Sequence, residues 1–546
     1  MNGAQLEKGR AGQARPLFDD VKRWPSSGLR LVLLIIVLVL AAILRFVNLP
    51  GNPGWYTDEG AHLDIAWHLS QGRFQFLAIT QSTLLPARLP LFELLLAAGL
   101  SLPGEGMAIL RALTASLGVA SAALLGLLVW VGSERRSEPA PAARGLTPVD
   151  ALALLAMGLY AVYQPAVVYS RFGFSYSLLT PLVLVAGIGL MKYWETRRWR
   201  WLMMASVAVG LGLVSDVWMG VVAAPVLLGA LERRWRTWVP RALAAGLVML
   251  LPVGLYAALM LATAPQAFLF DLRYTLGRLN TVPLWLQLSV LADNLRVLCT
   301  QVPWFAIGAA GLLVLPPRLR LVSLLLFALP FVLLGRVTAL YSLSFYYLIP
   351  LLPFIPLGFA ALVWRVGEWL VHRLAWLGHR AQGLARAIII LAAAGFIALS
   401  FSQTYAQARS GFVTPIDDFL LNPAKARAAA AYVNAHAQPA DLVIASPGLA
   451  WLVCGREATA SCHVADFQMA VAAAGQATPH LPANLPPDRW AFDPRFAQAR
   501  FVVVDNLWRN WAAVHIPQVA ALLRADENWR VAFVSGDITV YYVPGR

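Results

Sequence analysis

The chain reads as an α-helical polytopic membrane protein with about eleven transmembrane helices and a small C-terminal α/β extracytoplasmic domain. Three observations lead there. Of 546 residues, 59% are hydrophobic and only 13% charged, against about 25% charged in soluble proteins. Long apolar runs recur between residues 29 and 402. Beyond 402 the pattern changes to short strand-like and helix-like segments. The net charge of +15 would suggest nucleic acid in a soluble protein. Here it concentrates in alternate loops, which ties it to membrane orientation, and no nucleic-acid partner is expected. Three cysteines argue against a multi-disulfide scaffold and a cysteine-rich metal site.

Residues 1–28 form a polar tail with Lys8, Arg10, Arg15, Lys22 and Arg23. It is expected to be cytoplasmic and to precede a retained first span, with no cleavable signal. The membrane domain covers 29–402, with apolar runs near 29–47, 107–131, 150–168, 173–191, 201–214, 217–231, 242–263, 302–316, 320–335, 343–364 and 386–402. A single helix over 201–231 would be ~45 Å long against a ~30 Å hydrocarbon core. A hairpin with its tip at Ser215 and Asp216 fits better. Arg135, Arg136 and Arg144, then Lys192 to Arg200, then Arg233, Arg234 and Arg236, then Arg318 and Arg320, then Arg373 and Arg380 fall on one side. That side is cytoplasmic by the positive-inside bias. The N-terminus is then inside and the C-terminal domain outside the cell membrane.

Two outer loops are long, 48–106 and 264–301, and the amphipathic stretch 284–298 is expected to lie along the interface. The domain over 403–546 predicts helices at 424–437 and 516–523. Strands are predicted at 442–445 and 501–504, with a hairpin of 531–534 and 538–543 around Gly536 and Asp537. The Pro- and Ala-rich stretch 474–487 reads as loop. Cys454 and Cys462 are eight apart; a disulfide and two buried thiols are both open.

Candidate chemistry begins with Asp58 and Glu59, just outside the first span. Neighbouring carboxylates can be solvated loop charge, or can cap a helix, with Asp58 as N-cap of a helix from Gly60. The turn-rich segment before them, Gly51 to Tyr56, and the helical spacing after them hold the pair in place. Only one carboxylate can then aim into a given pocket. A carboxylate there can act as general base. The outward arginines are Arg88, Arg171, Arg273, Arg278, Arg296 and Arg336. A lone arginine at a span end usually snorkels to headgroups. A phosphate leaving group, however, needs cations, so some of this set is expected to converge on one. His68, Asp64 and Glu59 could be drawn as a divalent-metal site, but their spacing does not require it. No cofactor and no metal are expected. His463 and His480 read as ordinary surface or loop residues.

These residues resemble the GT-C class of membrane glycosyltransferases, in the branch of the protein O-mannosyltransferases and the lipid A aminoarabinose transferase. The likeness rests on four landmarks: Trp55-Tyr56-Thr57-Asp58-Glu59-Gly60-Ala61-His62; Arg88-Leu89-Pro90-Leu91-Phe92; Ser170-Arg171-Phe172-Gly173 leading to Tyr176; and Phe345-Tyr346-Tyr347-Leu348-Ile349-Pro350 through Pro353. It implies a sugar donor on a polyprenyl phosphate, Asp58 as base and Glu59 as its partner. Arg88 stands at the position of a phosphate-contacting lysine, and Arg171, Arg273 and Arg336 are further phosphate candidates. Tyr56, His62, Tyr176, Asp216 and Tyr347 are assigned to the substrate pocket. The chain departs from the pattern at Arg88, where arginine replaces lysine. It departs at Tyr176, where some relatives carry an acid, and at Asp216, where relatives often carry lysine.

The function so implied is sugar transfer at the outer face to a glycan, lipid or protein acceptor, with membrane lipids as neighbours. The rivals are a transporter or flippase of lipid-linked sugars, and a catalytically silent subunit on the same scaffold. A transporter is expected to show inverted repeats and midplane charges, which the sequence lacks.

Overall fold

The computed structural model describes residues 28–544 except 86–88, 134–146, 232–234, 279–282, 338–341, 375, 377, 415, 455–461 and 526–528. The chain enters the bundle with α1 (Gly28–Phe46). The first long loop contains α2 (Thr57–Ser70), a two-strand ribbon β1 (Gln75–Phe76) and β2 (Ile79–Thr80), and α3 (Leu91–Gly99). The bundle continues with α4 (Gly106–Gly132), α5 (Pro148–Val162), α6 (Gln164–Tyr169), α7 (Tyr176–Thr196), α8 (Trp199–Leu213), α9 (Gly220–Gly229) and α10 (Trp235–Thr263). Next come α11 (Pro265–Arg278), α12 (Leu284–Gln301), α13 (Pro303–Gly311), α14 (Pro317–Gly335), a 3-10 segment (Ser342–Leu351), α15 (Phe354–Arg373) and α16 (His379–Ser410).

Among the described residues, seven helices are long and apolar enough to cross a membrane: α1, α4, α7, α10, α14, α15 and α16. An eighth crossing results if α12 and Pro303–Val314, bent by 104° at their junction, form one span. The eleven predicted runs all contain helix, but length supports seven or eight crossings. Pro148–Val162, Trp199–Leu213 and Val217–Gly229 are shorter. Two predicted runs are also broken. Tyr163 leaves helical geometry between α5 and α6, and the run at 343–364 opens as 3-10 helix before α15. Near the N-terminal ends of α1 and α5, Arg30 pairs with Asp150 at 3.0 Å. Packing is close where α13 crosses α15. A Cβ on Gly358 would lie 1.8 Å from the Gly308 carbonyl oxygen, so this crossing needs a bare backbone.

The C-terminal domain begins with α17 (Pro423–His436) and β3 (Leu442–Ile444), followed by α18 (Pro447–Ala450), β4 (His463–Ala465) and α19 (Phe467–Ala473). It ends with β5 (Ala499–Val504), α20 (Ala513–His515), α21 (Pro517–Arg524), β6 (Arg530–Ser535) and β7 (Ile538–Tyr542). The sheet order is β4-β3-β5-β7-β6. β4, β3 and β5 run parallel, and β7 and β6 close the sheet antiparallel. The predicted helices and strands are all present within a few residues, and 474–486 carries no regular element. The sequence reading missed β4, which is only three residues long, and the helices α18 and α19. Cys454 and Cys462 form a disulfide.

This domain is docked on the first long loop. Trp55 and Leu421 exchange both backbone hydrogen bonds, at 2.9 and 2.8 Å. A Cβ on Gly60 would sit 2.1 Å from the Pro447 oxygen, so α18 rests directly on the α2 backbone. A third tie is a buried ion pair. Asp271 of α11 accepts from Arg489 Nη1 at 3.0 Å and from the Thr83 hydroxyl at 2.7 Å. It also accepts from the backbone amides of Thr83, Leu84 and Leu85. Arg489 additionally donates to the Thr80 and Gln81 carbonyls. One carboxylate thus joins α11, the 80–85 loop and the C-terminal domain.

Asp271→Ala would leave a buried guanidinium without its counter-charge, costing about 3–5 kcal/mol. The expected outcome is early proteolysis and faster hydrogen exchange in 80–85 and 486–490, with the bundle intact. A pH dependence follows from Asp466 and Asp505, whose carboxyls burial pushes up to about 6 from an ordinary 3.8. Below 3.8 neither carries a penalty. Between 3.8 and about 6 the folded domain holds protons that the unfolded chain has released, so stability falls as pH rises. Thermal unfolding of the domain should therefore soften as pH rises from 3.8 to about 6 and level off above, and an Asp466→Asn, Asp505→Asn double variant should flatten that slope.

Candidate functional site around Asp58

The helix α2 starts at Thr57 with Tyr56 as N-cap. Asp58 is therefore the second helical residue and not the cap expected from sequence. Both acids lie in the first turn, where the helix dipole favours them. Their fates differ. Glu59 is fully buried. Its Oε1 accepts from Arg111 Nε and from the Gly173 amide, each at 2.8 Å. Its Oε2 accepts from Arg111 Nη2 and from the Tyr56 amide, each at 2.8 Å. Arg111 completes its donor set on the carbonyls of Leu49, Pro53 and Gly54. Every N–H of that guanidinium and both carboxylate oxygens are engaged. Glu59, expected as the partner of Asp58, is thus tied to α4 and to the loop after α6.

Asp58 remains half-buried beside an aromatic wall. Its carboxylate interacts electrostatically with the Tyr346 hydroxyl. The Tyr346 ring lies 4.6 Å from Tyr347, 5.7 Å from Tyr176 and 5.6 Å from Phe174. Tyr56 meets Phe174 edge-on at 5.4 Å, and Tyr176 meets Tyr347 at 5.5 Å. The predicted pocket residues Tyr56, Tyr176 and Tyr347 are thus brought together with Asp58, and Phe174 and Tyr346 join them. Asp216 stands at the predicted hairpin tip, between α8 and Val217–Met219. It is largely buried rather than a solvated tip charge, and it caps the turn by accepting from the Trp218 amide at 2.9 Å. The Trp218 indole then donates to the Tyr347 carbonyl at 2.9 Å, which brings this tip against the aromatic cluster.

Of the outward arginines, four have described side chains. Arg171 is fully buried and donates to the carbonyls of Leu44, Val47, Asn48 and Asn52. Its guanidinium gathers the carbonyls at the start of the first loop. Arg273 lines a cavity formed with the C-terminal domain, away from the aromatic cluster. Arg296 pairs with Asp293 on an exposed face. Arg336 is half-buried at the C-cap of α14 with its Nε unpartnered. Arg88 and the side chain of Arg278 lie outside the described residues.

His62 is buried, its Nδ1 2.8 Å from Glu93 Oε1 and its Nε2 without a partner. It joins α2 to α3 and stacks edge-on against Phe92. Asp64 accepts from the Leu77 amide and lies 3.3 Å from His68 Nδ1, so it fixes the β1–β2 turn. Among the described residues, no group of three His, Cys, Asp or Glu is placed to hold a metal ion. Sequence reasoning missed Arg111 and Arg45. Both sit in or at an apolar run, where an ionisable residue is a signal in itself. Arg45 donates to the Ala41, Ala161 and Tyr160 carbonyls inside the bundle.

The chain superposes on ArnT from Cupriavidus metallidurans, solved bound to undecaprenyl phosphate, with a TM-score of 0.59 at 15% identity, over 95% of this chain and 98% of that one. At that identity the likeness is one of fold. The S. cerevisiae protein O-mannosyltransferase Pmt1–Pmt2 complex, bound to the sugar donor, matches 45% of this chain and 35% of its own at TM-score 0.34 and 17% identity. The arabinofuranosyltransferase AftD from Mycobacteria matches 94% of this chain and 41% of its own at TM-score 0.45 and 18% identity. No family model and no curated protein matches the sequence.

Glu59→Gln and Arg111→Met should each lower the melting temperature, because each leaves a buried group without its counter-charge, at about 3–5 kcal/mol. The double variant should cost less than the sum. Thermal unfolding of the four proteins in a double-mutant cycle reads that coupling directly.

Proposed function

We propose that the protein transfers a sugar from a polyprenyl-phosphate donor to an acceptor at the non-cytoplasmic face of the membrane, with Asp58 as the base. The observation that carries this reading is the separation of roles in one helical turn. Glu59 and Arg111 lock the backbone, and Asp58 is left half-buried against the tyrosines. A fold shared with a protein solved bound to undecaprenyl phosphate supports the donor class.

In the proposed reaction the acceptor hydroxyl gives its proton to the Asp58 carboxylate as its oxygen attacks the anomeric carbon. The bond from that carbon to the phosphate oxygen breaks, and the polyprenyl phosphate leaves with the electron pair. Configuration inverts. The phosphate is a good leaving group, so no protonating acid is required. Arg336 is the proposed cation for it, together with Arg88. Tyr56, Tyr176 and Tyr347 would enclose the sugar ring, and Asp216 would contact its hydroxyls. The C-terminal domain, resting on Gly60 through Pro447, would cap the site and take part in acceptor selection. The positive-inside charge distribution supports the orientation with this domain outside.

The test is transfer of radiolabel from a polyprenyl-phosphate sugar by purified protein. Asp58→Asn should lower the rate by about a hundredfold or more, with expression and melting temperature unchanged. Full activity in that variant would refute the assignment.

A further inference from the structure

A cavity of about 870 Å³ lies between the corner of α10 and α11 and the C-terminal domain, within the usual ~300–1,000 Å³ of small-ligand sites. A second space of about 280 Å³ adjoins it, and both are lined by Gln81, Thr263 and Ala264. Four segments far apart in sequence form the walls: the 73–83 ribbon, the end of α10, the first half of α11 and the 484–489 turn. Neither space is lined by Asp58 or by the tyrosines around it.

The lining has a definite chemistry. Phe270 and Tyr274 supply ring surface, Gln266 and Asn484 supply amides, and Arg273 supplies a guanidinium. Arg73 lines the adjoining space, its guanidinium donating to the Gln71 side chain and lying 5.8 Å from the Trp67 ring. Rings offer a flat apolar platform, and an amide offers a donor and an acceptor in one plane, which suits neighbouring hydroxyls of a sugar. Guanidinium groups hold carboxylates through paired N–H donors. Arg489, also in the wall, is already neutralised by Asp271. Among the remaining lining residues, Arg73 and Arg273 stand against one carboxylate, Asp488, so the lining is net positive.

The walls are held rather than loose. Asp271 fastens the 80–85 loop and Arg489 together, and the Tyr256 hydroxyl donates to the Thr83 carbonyl at 2.8 Å. Phe270 and Tyr274 pack against the core of the C-terminal domain. The cavity also opens where α10, an apolar helix long enough to cross a membrane, ends at Thr263.

We infer that this cavity binds an acidic oligosaccharide, the glycan part of the acceptor. The acceptor role rests on the transferase reading above; the binding itself does not. The experiment is equilibrium binding to the purified full chain of a fluorescent hyaluronan tetrasaccharide, with chitotetraose as the neutral probe of equal length. The acidic tetrasaccharide should bind saturably and at least tenfold more tightly than chitotetraose. Arg273→Gln with Arg73→Gln should weaken it at least tenfold, and Asn484→Trp should block it. All three positions are exposed, so these variants should fold, and their melting temperatures verify it. Asp58→Asn should bind unchanged, which separates a failure of this site from a failure of the transfer chemistry. The inference is overturned by an absence of saturable binding, by binding indifferent to these substitutions, by loss of binding in Asp58→Asn, or by inorganic phosphate competing as well as the tetrasaccharide.

Discussion

The pairing of Arg111 with Glu59 is the constraint from which the rest of the site follows. A buried ion pair is stable only when its remaining hydrogen-bonding capacity is met. Here α4 supplies the guanidinium, α2 the carboxylate, the first loop three carbonyls and the loop after α6 an amide. The four pieces cannot shift independently without stranding a charge. The first turn of α2 is thereby fixed, and with it the direction of the neighbouring carboxylate. Arg171 does the same one step earlier, gathering the carbonyls where α1 ends. Both arginines are spent on groups of the frame itself.

That frame extends into the C-terminal domain. Three contacts tie the domain to the membrane part: the Trp55–Leu421 bridge, the close approach at Gly60 and the Asp271–Arg489 pair. Each involves either bare backbone or a fully buried charge, and neither tolerates sliding. The domain is thus held fixed against the membrane part. It rests on the same helix that carries Asp58, and it also closes the second cavity from the opposite side. The Asp58 helix and this cavity are linked through the 73–85 segment, although Asp58 does not line the cavity.

Much of this was legible beforehand where the signal is local. The apolar runs, the hairpin tip at Asp216 and the α/β pattern after 402 all depend on composition and spacing. The count of crossings was less legible. Hydropathy registers an apolar stretch whether it is one straight span, a pair bent by 104° as in Leu284–Val314, or a short helix shielded by neighbours. The prominence of Asp58 could be read from the turn-rich entry before it and the helical spacing after it. The aromatic cluster was partly legible, since Tyr346 and Tyr347 stand next to each other. Phe174 and Trp218 reach it only through the packing of α7, the 3-10 segment and the 215–218 turn.

Sequence by itself determined that the chain lives in a membrane, that a soluble α/β domain follows, and that two acids stand at the head of a helix outside the first span. These are properties of residues near one another along the chain, where hydrophobicity and periodicity act directly. Tertiary structure decided which acid is held and which is left half-buried, which arginines are consumed by carbonyls, and where Arg273 faces. Those outcomes depend on partners distant in the chain: Glu59 and Arg111 are separated by 52 positions, and Asp271 and Arg489 by 218. A charge announces itself in a sequence, but whether it is neutralised depends on what folding brings within about 3 Å of it.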